Sequence, residues 1–225
     1  MTADQAPRGV AGGSPPELVP ADRDSGLAPP AARVSERGAA TRIALLAAAR
    51  EVFTTEGYAR AGVTDIVNRA GASVGSLYHH FSGKAELYLA LFEELSSECA
   101  GRTQQAVRLA RDAGITDSQQ LFLVGAREYL DVCVEQRELF RLFVAGDSPP
   151  GFDFVRRQRT ADWLSMNTEF FVRSGEPLDE AVAIVMTGAL ALCAAELSLS
   201  ADAARMRKIA DGVIEVLSRL GTPSP

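Results

Sequence analysis

Interruptions in the helical pattern between residues 57 and 84 constrain this fold more than any other feature of the chain. Apolar residues recur at helical spacing on both sides of each interruption, and the alternation typical of β-strands is absent. Gly57, Gly62, Gly71 and the Ser82–Lys84 sequence SGK each break the pattern. Two short helices fit between these breaks, separated by the tripeptide AGA, and together they predict a tight helix-turn-helix.

Longer helical segments flank the helix-turn-helix. The first is predicted to begin at its N-cap Thr41 and to end at Gly57, with Ile43, Leu46 and Phe53 on its apolar face. Six further helices are predicted after the helix-turn-helix: from Lys84 to Gly114, from Ser118 to about Gln136, within RELFRLFVAG, from Phe152 to Ser174, from Leu178 to Leu199, and from Asp202 to Leu220. The chain is therefore predicted to be all-α, with a three-helix N-terminal unit and a six-helix remainder.

Composition predicts where this protein resides and how its first residues behave. Residues 1–34 are rich in Pro, Gly and Asp and are predicted to be a disordered tail. The three cysteines are widely spaced and favour neither a disulfide framework nor a zinc site, and no secretory signal is apparent. The apolar run Ala181–Ala195 is shorter than a typical membrane span and fits a buried helix. These features predict a cytoplasmic protein with no membrane partner.

The distribution of charge is uneven. A net charge of −6 argues against general binding to polyanions. Residues 31–90 nevertheless carry seven basic and five acidic residues, so this part is mildly basic within an acidic chain. The imbalance is a weak indication of a surface that faces an anion, and chance is the alternative explanation.

The stretch SVGSLYHHF, from Ser73 to Phe81, contains both histidines of the chain. His79 and His80 are adjacent, so on a helix they point about 100° apart and do not chelate one metal ion together. The chain has no phosphate-binding loop, dinucleotide fingerprint or nucleophile elbow. The sequence therefore predicts no metal, no cofactor and no enzyme.

The two faces of this short helix differ in chemistry. Leu77 and Phe81 share one face and are predicted to lie in the core, while Ser76, His79 and His80 lie on the opposite face. That outer face is polar and aromatic and carries no acidic residue. A helix of this kind suits the major groove of DNA.

The segments TR…LAAAREVF, EGY, TDIVNRAGAS, GSLYHHF and GKAELYLALFE follow one another in order, and through them residues 41–93 resemble the TetR family of bacterial transcriptional regulators. The resemblance implies a helix-turn-helix DNA-binding domain over residues 35–83. It further implies a helical effector-binding and dimerisation domain over residues 84–221. The expected function is that of a ligand-responsive homodimeric repressor that binds a palindromic operator in double-stranded DNA through the helix Ser73–Phe81.

The resemblance also implies which residues contact DNA. They are Arg42, Thr64, Ser73, Val74, Gly75, Ser76, Tyr78, His79, His80 and Lys84. For three of them an alternative stays open: Tyr78 as a packing residue, His80 as a structural histidine, and Lys84 as an ordinary lysine at a helix start.

Two positions depart from the family pattern. Val74 replaces a lysine or polar residue, and it either meets a thymine methyl or packs against the core. Gly62 stands where the family usually caps the second helix with Thr or Ser, and Thr64 is able to supply the lost phosphate contact. These departures leave open an alternative function, a helical small-molecule-binding protein with weak or lost DNA recognition.

The remaining implied sites lie in the larger domain. An effector pocket is expected at Phe92, Phe122, Tyr129, Cys133, Phe143, Trp163, Asn167, Phe170 and Thr187, with Gln136 as a further polar candidate. Because few charges accompany these residues, the effector is predicted to be apolar or aromatic.

A dimer interface is expected on the last two helices. It comprises Gly188, Ala191, Ala195, Val213 and Leu217. The first helix supplies small residues at close spacing, and a second, aliphatic stripe runs from Leu199 at its end to Val216 and Leu220 of the last helix. Two copies would then form a four-helix bundle about a twofold axis. Burial of these residues within one monomer is the alternative.

Overall fold

The structure is a computed structural model, and it describes residues 36–173 and 180–220. Within these residues the chain forms nine helices and no strand, which confirms the all-α prediction. They are α1 (Glu36–Glu56), α2 (Val63–Ala70), α3 (Val74–His80), α4 (Lys84–Asp112), α5 (Ser118–Glu135), α6 (Arg137–Ala145), α7 (Phe152–Arg173), α8 (Glu180–Leu199) and α9 (Ala203–Leu220). The predicted disordered tail, residues 1–34, lies outside the described residues.

The first helix is longer than predicted, and a different face of it is buried. It begins at Glu36, so Thr41 lies inside the helix and is not its N-cap. The preceding residues include Glu, Arg and Ala, whose helix propensity extends the helix past a Thr that caps only weakly. Ile43 is 67% exposed, and Leu45 takes its place in the core. The predicted end is confirmed, because the helix stops at Gly57, whose φ is 83°.

The breaks around α2 and α3 lie where the sequence predicts them. Gly62 is the N-cap of α2 in an extended conformation, and Gly71 ends the helix in the left-handed region with φ 63°. The N–H of Gly71 donates to Asn68 O, and the next N–H, of Ala72, donates to Val67 O at 2.9 Å. These local bonds satisfy the last carbonyls of α2 and turn the chain sharply into α3.

Two later helices have an aspartate immediately before their first residue. Asp117, and not Ser118, caps α5: its Oδ1 accepts the N–H of Gln120 at 2.7 Å, while Ser118 is buried. A carboxylate is favoured over a hydroxyl here because it also complements the positive end of the helix dipole. Asp202 precedes α9, and its carboxylate accepts the N–H of Arg205 at 3.1 Å.

The described residues form one compact unit whose core runs without interruption from α1 to α9. Helix α1 packs on α2, α3, α4 and α6, and α4 packs along α5. The apolar window in α8, Val182–Leu199, is longer than the predicted run Ala181–Ala195, because it tolerates Glu196. By length and composition alone it is able to cross a membrane. Because α8 contacts α5, α6, α7 and α9, we interpret it as a core helix, which passes the same test.

Candidate DNA-binding surface and ligand cavity

Helix α3 turns one face into the core and the other to solvent. Leu77 is fully buried and Phe81 is 2% exposed, as predicted. Tyr78 is 56% exposed and Val74 is 44% exposed. His79 is exposed beside them. We name Ser73, Val74, Gly75, Tyr78 and His79, all exposed, the α3 surface.

The exposure of the α3 surface decides between the alternatives that the sequence left open for Val74 and for Tyr78. Val74 does not pack against the core, so its methyl groups are available to a partner, and Tyr78 is not a packing residue. Ser76 and His80 are half-buried, and the rings of His79 and His80 meet edge to face with centroids 5.0 Å apart. Among the described residues no group of His, Cys, Asp and Glu is arranged to hold a metal ion.

A local hydrogen bond fixes the start of α3, and two of the other residues predicted to contact DNA, Arg42 and Thr64, lie on neighbouring helices. The hydroxyl of Ser73 accepts the N–H of Ser76 at 3.1 Å, which caps α3. The guanidinium of Arg42 lies 5.1 Å from the centroid of the Phe81 ring, so this exposed arginine stands beside the end of α3. Thr64 is exposed in the first turn of α2.

The ammonium group of Lys84 is hydrogen-bonded within the protein, which the sequence does not indicate. Its Nζ donates to the carbonyls of Tyr58, Ala59 and Ala61 at 2.9, 3.1 and 3.2 Å, and it also lies 4.5 Å from the centroid of the Tyr58 ring. An ammonium has three N–H donors, and these carbonyls use all of them. Lys84 therefore ties the start of α4 to the α1–α2 connection, and a phosphate contact would have to displace one of these bonds.

Asp147, in the connection between α6 and α7, is the functional residue that sequence reasoning missed. Its carboxylate accepts the backbone N–H groups of Tyr58 at 3.0 Å and Ala59 at 2.5 Å. A Cβ added at Gly57 would lie 2.8 Å from Asp147 Oδ1, so the chain approaches this carboxylate closely. We name these contacts the Asp147 clamp. The only sequence signal was an acidic residue in the DSPPG break, which does not reveal a partner 88 residues away.

A chain of aromatic rings leads from the same connection into the body. The Tyr58 and Tyr88 ring centroids are 5.3 Å apart, and Tyr88 meets Phe143 at 5.1 Å and Phe152 at 5.0 Å. The Tyr88 hydroxyl donates to the carbonyl of Leu142 at 3.1 Å. Burial, and secondarily the negative charge of Asp147, raises the pKa of Tyr88 far above its usual value, so the hydroxyl stays a donor at any physiological pH.

A cavity of about 560 Å³ lies between α4, α5, α7 and α8, at the end of this aromatic chain. Six of the residues predicted for the effector pocket line it: Phe92, Phe122, Tyr129, Phe143, Trp163 and Asn167. The tilted rings of Tyr129 and Trp163, 4.8 Å apart, form part of one wall. The volume is in the range of pockets that take drug-sized molecules.

The other residues predicted for the pocket do not line the cavity. Cys133 is fully buried one turn beyond Tyr129 on α5 and does not line the cavity. Thr187 is buried behind the wall, where it accepts a hydrogen bond from Asn167 Nδ2 at 3.3 Å. Gln136 bonds Glu98 at the surface of α4 and does not reach the cavity. The side chain of Phe170 lies outside the described residues.

The polarity of the cavity also differs from the prediction. Four arginines line it, Arg108 and Arg111 on α4 with Arg156 and Arg159 on α7, and each pair is spaced three residues apart on one helix face. The prediction rested on residues chosen for their aromatic character, and it missed these two pairs. Cys99 also lines the cavity, and burial raises the pKa of its thiol to about 12, so it stays protonated at neutral pH.

The helices predicted to form a dimer interface present different residues from those expected. Gly188 is exposed and Ala195 is half-buried, but Ala191 lines the cavity. Leu217 is 1% exposed, because α9 packs against α5 along this face, and its carbonyl accepts a hydrogen bond from Gln119 at 3.4 Å. Ala191 and Leu217 therefore belong to the interior of the monomer.

An exposed apolar surface nevertheless covers the same two helices. We name it the α8–α9 apolar face, and it consists of Ile184, Val185, Leu192 and Leu199 of α8 with Val216 and Leu220 of α9. Val213 is half-buried beside it. Contiguous exposed aliphatic residues on two neighbouring helices are typical of a protein interface.

The geometry defines a class of protein, in which a helix-turn-helix presents a short solvent-facing helix on an all-helical body that contains a cavity. Residues 45–91 match the family described as "Bacterial regulatory proteins, tetR family". The match confirms the resemblance to this family over these residues.

A named regulator is similar to a larger part of the chain. The chain is 36% identical over 125 residues to the HTH-type transcriptional activator FasR of Mycolicibacterium smegmatis, an alignment that covers 56% of this chain and 52% of the relative. It thus spans about half the length of that protein. This relative is named as a regulator and not as an enzyme.

Solved structures share the fold of the described chain. The fatty acid degradation regulator FadR from Bacillus halodurans superposes with a TM-score of 0.66 at 16% identity, covering 82% of this chain and 97% of its own. FadR from Bacillus subtilis, solved in complex with stearoyl-CoA, gives a TM-score of 0.65 at 16% identity, with coverage of 79% and 97%. At this identity the likeness concerns the fold alone.

Proposed function

We propose that this protein is a ligand-responsive homodimeric transcriptional repressor that binds a palindromic operator through α3. Residues 35–83 form its DNA-binding domain, and residues 84–221 form its effector-binding and dimerisation domain. It acts in the cytoplasm, on double-stranded DNA and a small-molecule effector, and catalyses no reaction. The observation that carries the proposal is the Asp147 clamp, which ties the α1–α2 connection to the segment between Phe143 and Arg156, two residues that line the cavity.

The DNA side of the proposal rests on the α3 surface. Tyr78 and Val74 are exposed without an internal packing role, and no acidic residue lies on α3 to repel phosphate. Side chains that point into the major groove select base sequence, while basic and hydroxyl groups around them fix the register on the backbone. Arg42 and Thr64 are placed for the second task, since both are exposed on the helices next to α3.

The dimer rests on the α8–α9 apolar face. Pairing this face with its copy in a second chain would bury aliphatic side chains that one monomer leaves in water. A twofold axis through a four-helix bundle presents two copies of α3 in opposite directions, and this arrangement requires an inverted repeat in the DNA.

The residues on either side of Asp147 in the chain suggest how ligand binding changes the affinity for DNA. Phe143 precedes it and Arg156 follows it, and both line the cavity. A ligand that moves either wall therefore shifts the carboxylate that holds the N–H groups of Tyr58 and Ala59. The ligand changes operator affinity by its differential affinity for the two positions of the clamp.

The test is selection of bound DNA from a random duplex library by the purified full chain, followed by sequencing. An enriched inverted repeat is expected, and its position relative to a promoter, with a reporter, distinguishes repression from the activation named for the relative FasR. Recovery of no motif, with or without added ligands, would contradict the proposal. It would favour the alternative of a small-molecule-binding protein without DNA recognition.

A further inference from the structure

A glutamine at the α5–α6 junction joins the helix-turn-helix to the body, in addition to Lys84 and the Asp147 clamp. Gln136 lies between the last residue of α5 and the first residue of α6. Its side-chain oxygen accepts a hydrogen bond from the guanidinium of Arg50 on α1. Its side-chain NH₂ group donates to the carboxylate oxygens of Glu98 on α4, at 3.3 and 3.2 Å. We name this connection from Arg50 through Gln136 to Glu98 the Gln136 bridge.

The backbone of Gln136 is held by both of the helices that it joins. Its N–H donates to Val132 O at 2.8 Å, and its carbonyl oxygen accepts the N–H groups of Leu139 at 3.0 Å and Phe140 at 3.1 Å. Phe140 lines the cavity. The side chain of Gln136 therefore extends from a fixed point, and this point is hydrogen-bonded to a residue of the cavity wall.

The α4 end of the bridge is also next to the cavity. Glu98 precedes Cys99, which lines the cavity, and Arg102, one turn further along α4, lies 3.9 Å from the Glu98 carboxylate. Arg102 in turn pairs with Glu128 on α5 at 2.6 Å. The carboxylate at this end of the bridge is therefore held on two packed helices that both line the cavity.

The chemistry of glutamine suits the two groups that it meets. Arg50 presents a cation and Glu98 an anion, so a side chain between them has to accept a hydrogen bond on one side and donate one on the other. A primary amide does both, whereas a carboxylate would repel Glu98 and an ammonium group would repel Arg50. Hydrogen bonds to ionised partners are also stronger than those between neutral groups.

We propose that Gln136 is a positioning residue for operator recognition, which holds α1 on α4 and thereby sets the position of α3 relative to the body. Helix α1 packs directly on α2 and α3, so a rotation of α1 moves the α3 surface. A displacement of α4, or of the start of α6, breaks an arm of the bridge and lowers operator affinity. This inference rests on the proposed function and adds a regulatory contact to it.

An exchange of donor and acceptor between two residues tests the bridge. Gln136→Glu keeps an acceptor for Arg50 but places a second carboxylate against Glu98, and it is expected to lower operator affinity about fivefold or more. Adding Glu98→Gln supplies a donor opposite the new acceptor, and the double variant is expected to recover operator affinity to within about twofold of the parent. Fluorescence anisotropy of the labelled operator measures each affinity on the full chain.

A matched control separates the contact from the change of charge. Gln105→Glu adds the same charge on the exposed surface of α4, at a residue that does not line the cavity. Alone or with Glu98→Gln, it is expected to bind the operator as the parent does. Equal losses in Gln136→Glu and Gln105→Glu, or a double variant of Gln136 and Glu98 that binds no more tightly than Gln136→Glu alone, would overturn the inference.

The α1 arm of the bridge is tested by a variant of its own. Arg50→Met removes the donor and keeps much of the length of the side chain, so it is expected to lower operator affinity by a factor similar to that of Gln136→Glu. Combining the two variants is expected to add little further loss, because both break the same connection. Additive losses would show that Arg50 and Gln136 act separately, and they would contradict the bridge.

The same measurements distinguish this inference from the proposed function. An operator that the parent binds and that every variant binds equally well would contradict the inference and leave the proposed function standing. Selection of no duplex by the parent chain would contradict the proposed function itself.

Discussion

Some side chains of the helix-turn-helix are buried and anchor it in the core, while others on the same helix are exposed and available to a partner. Leu77 and Phe81 anchor α3, while Tyr78 is left in solvent on the same short helix. An exposed tyrosine has a large apolar ring and a hydroxyl that donates and accepts, so it is well suited to a wet interface with DNA.

Tyr78→Ala is expected to reduce operator affinity at least tenfold, because it removes ring and hydroxyl contacts in the groove. Its melting temperature should stay within a degree or two of the parent, since the side chain packs against little of the core. Fluorescence anisotropy with the selected operator measures the first quantity and calorimetry the second. Phe154→Ala serves as the control, because Phe154 is an equally exposed aromatic residue on α7. Equal affinity of both variants would remove Tyr78 from the interface.

Asp147→Ala tests the clamp at the level of one carboxylate. Removing an ionised acceptor leaves two N–H groups without their partner and is expected to lower the free energy of unfolding by about 1–3 kcal/mol. The variant should also lose most of the effect of ligand on operator affinity. Urea unfolding and anisotropy with and without ligand measure the two effects. Glu138→Ala, an exposed acidic residue on the neighbouring helix α6, should change neither.

At the scale of elements, the connection between α1 and α2 is held from both sides. Lys84, at the start of α4, donates hydrogen bonds to the carbonyl oxygens of this connection, and Asp147, after α6, accepts hydrogen bonds from its N–H groups. Helix α4 and the α6–α7 connection both pack outside the helix-turn-helix. We therefore expect a movement of either one to shift the helix-turn-helix through these hydrogen bonds.

Substitutions at two glycines distinguish the cost of backbone strain from the cost of a disturbed contact. Gly57 and Gly71 both have positive φ, 83° and 63°, but only Gly57 approaches another residue, Asp147. Gly71→Ala is expected to cost about 1 kcal/mol for the left-handed conformation alone. Gly57→Ala should cost more and should also weaken operator binding, because its Cβ displaces the Asp147 carboxylate. Equal losses of stability and no effect on operator binding would show that the clamp is unimportant for the position of α3.

At the scale of the whole molecule, the α8–α9 apolar face requires a covering partner. A second copy of the chain is the partner that we propose, because a palindromic operator would require two copies of α3. The double variant Leu192→Lys with Val216→Lys is expected to sediment as a monomer and to lose cooperative operator binding, because two buried ammonium groups would not be paired. Leu109→Lys is the control, since Leu109 is 61% exposed on α4, away from this face. A double variant that stays dimeric would place the interface elsewhere.

The sequence predicted the elements well and the inward-facing residues less well. Gly57 and Gly71 end their helices as predicted, because each acts on backbone groups within four residues of itself. Ile43 and Leu217 were placed on the wrong side of their helices. Apolar residues there exceed what one face requires, so periodicity alone does not decide which of them is buried.

The sequence by itself determined the all-α fold, the short α2 and α3, and the outward face of α3. These depend on capping, on glycine conformation and on helical spacing, which are interactions between near neighbours in the chain. Only the tertiary structure decided the Asp147 clamp, the hydrogen bonds of Lys84 and the two arginine pairs that line the cavity. Asp147 and Ala59 are 88 residues apart, and such groups meet only through the packing of the helices that carry them.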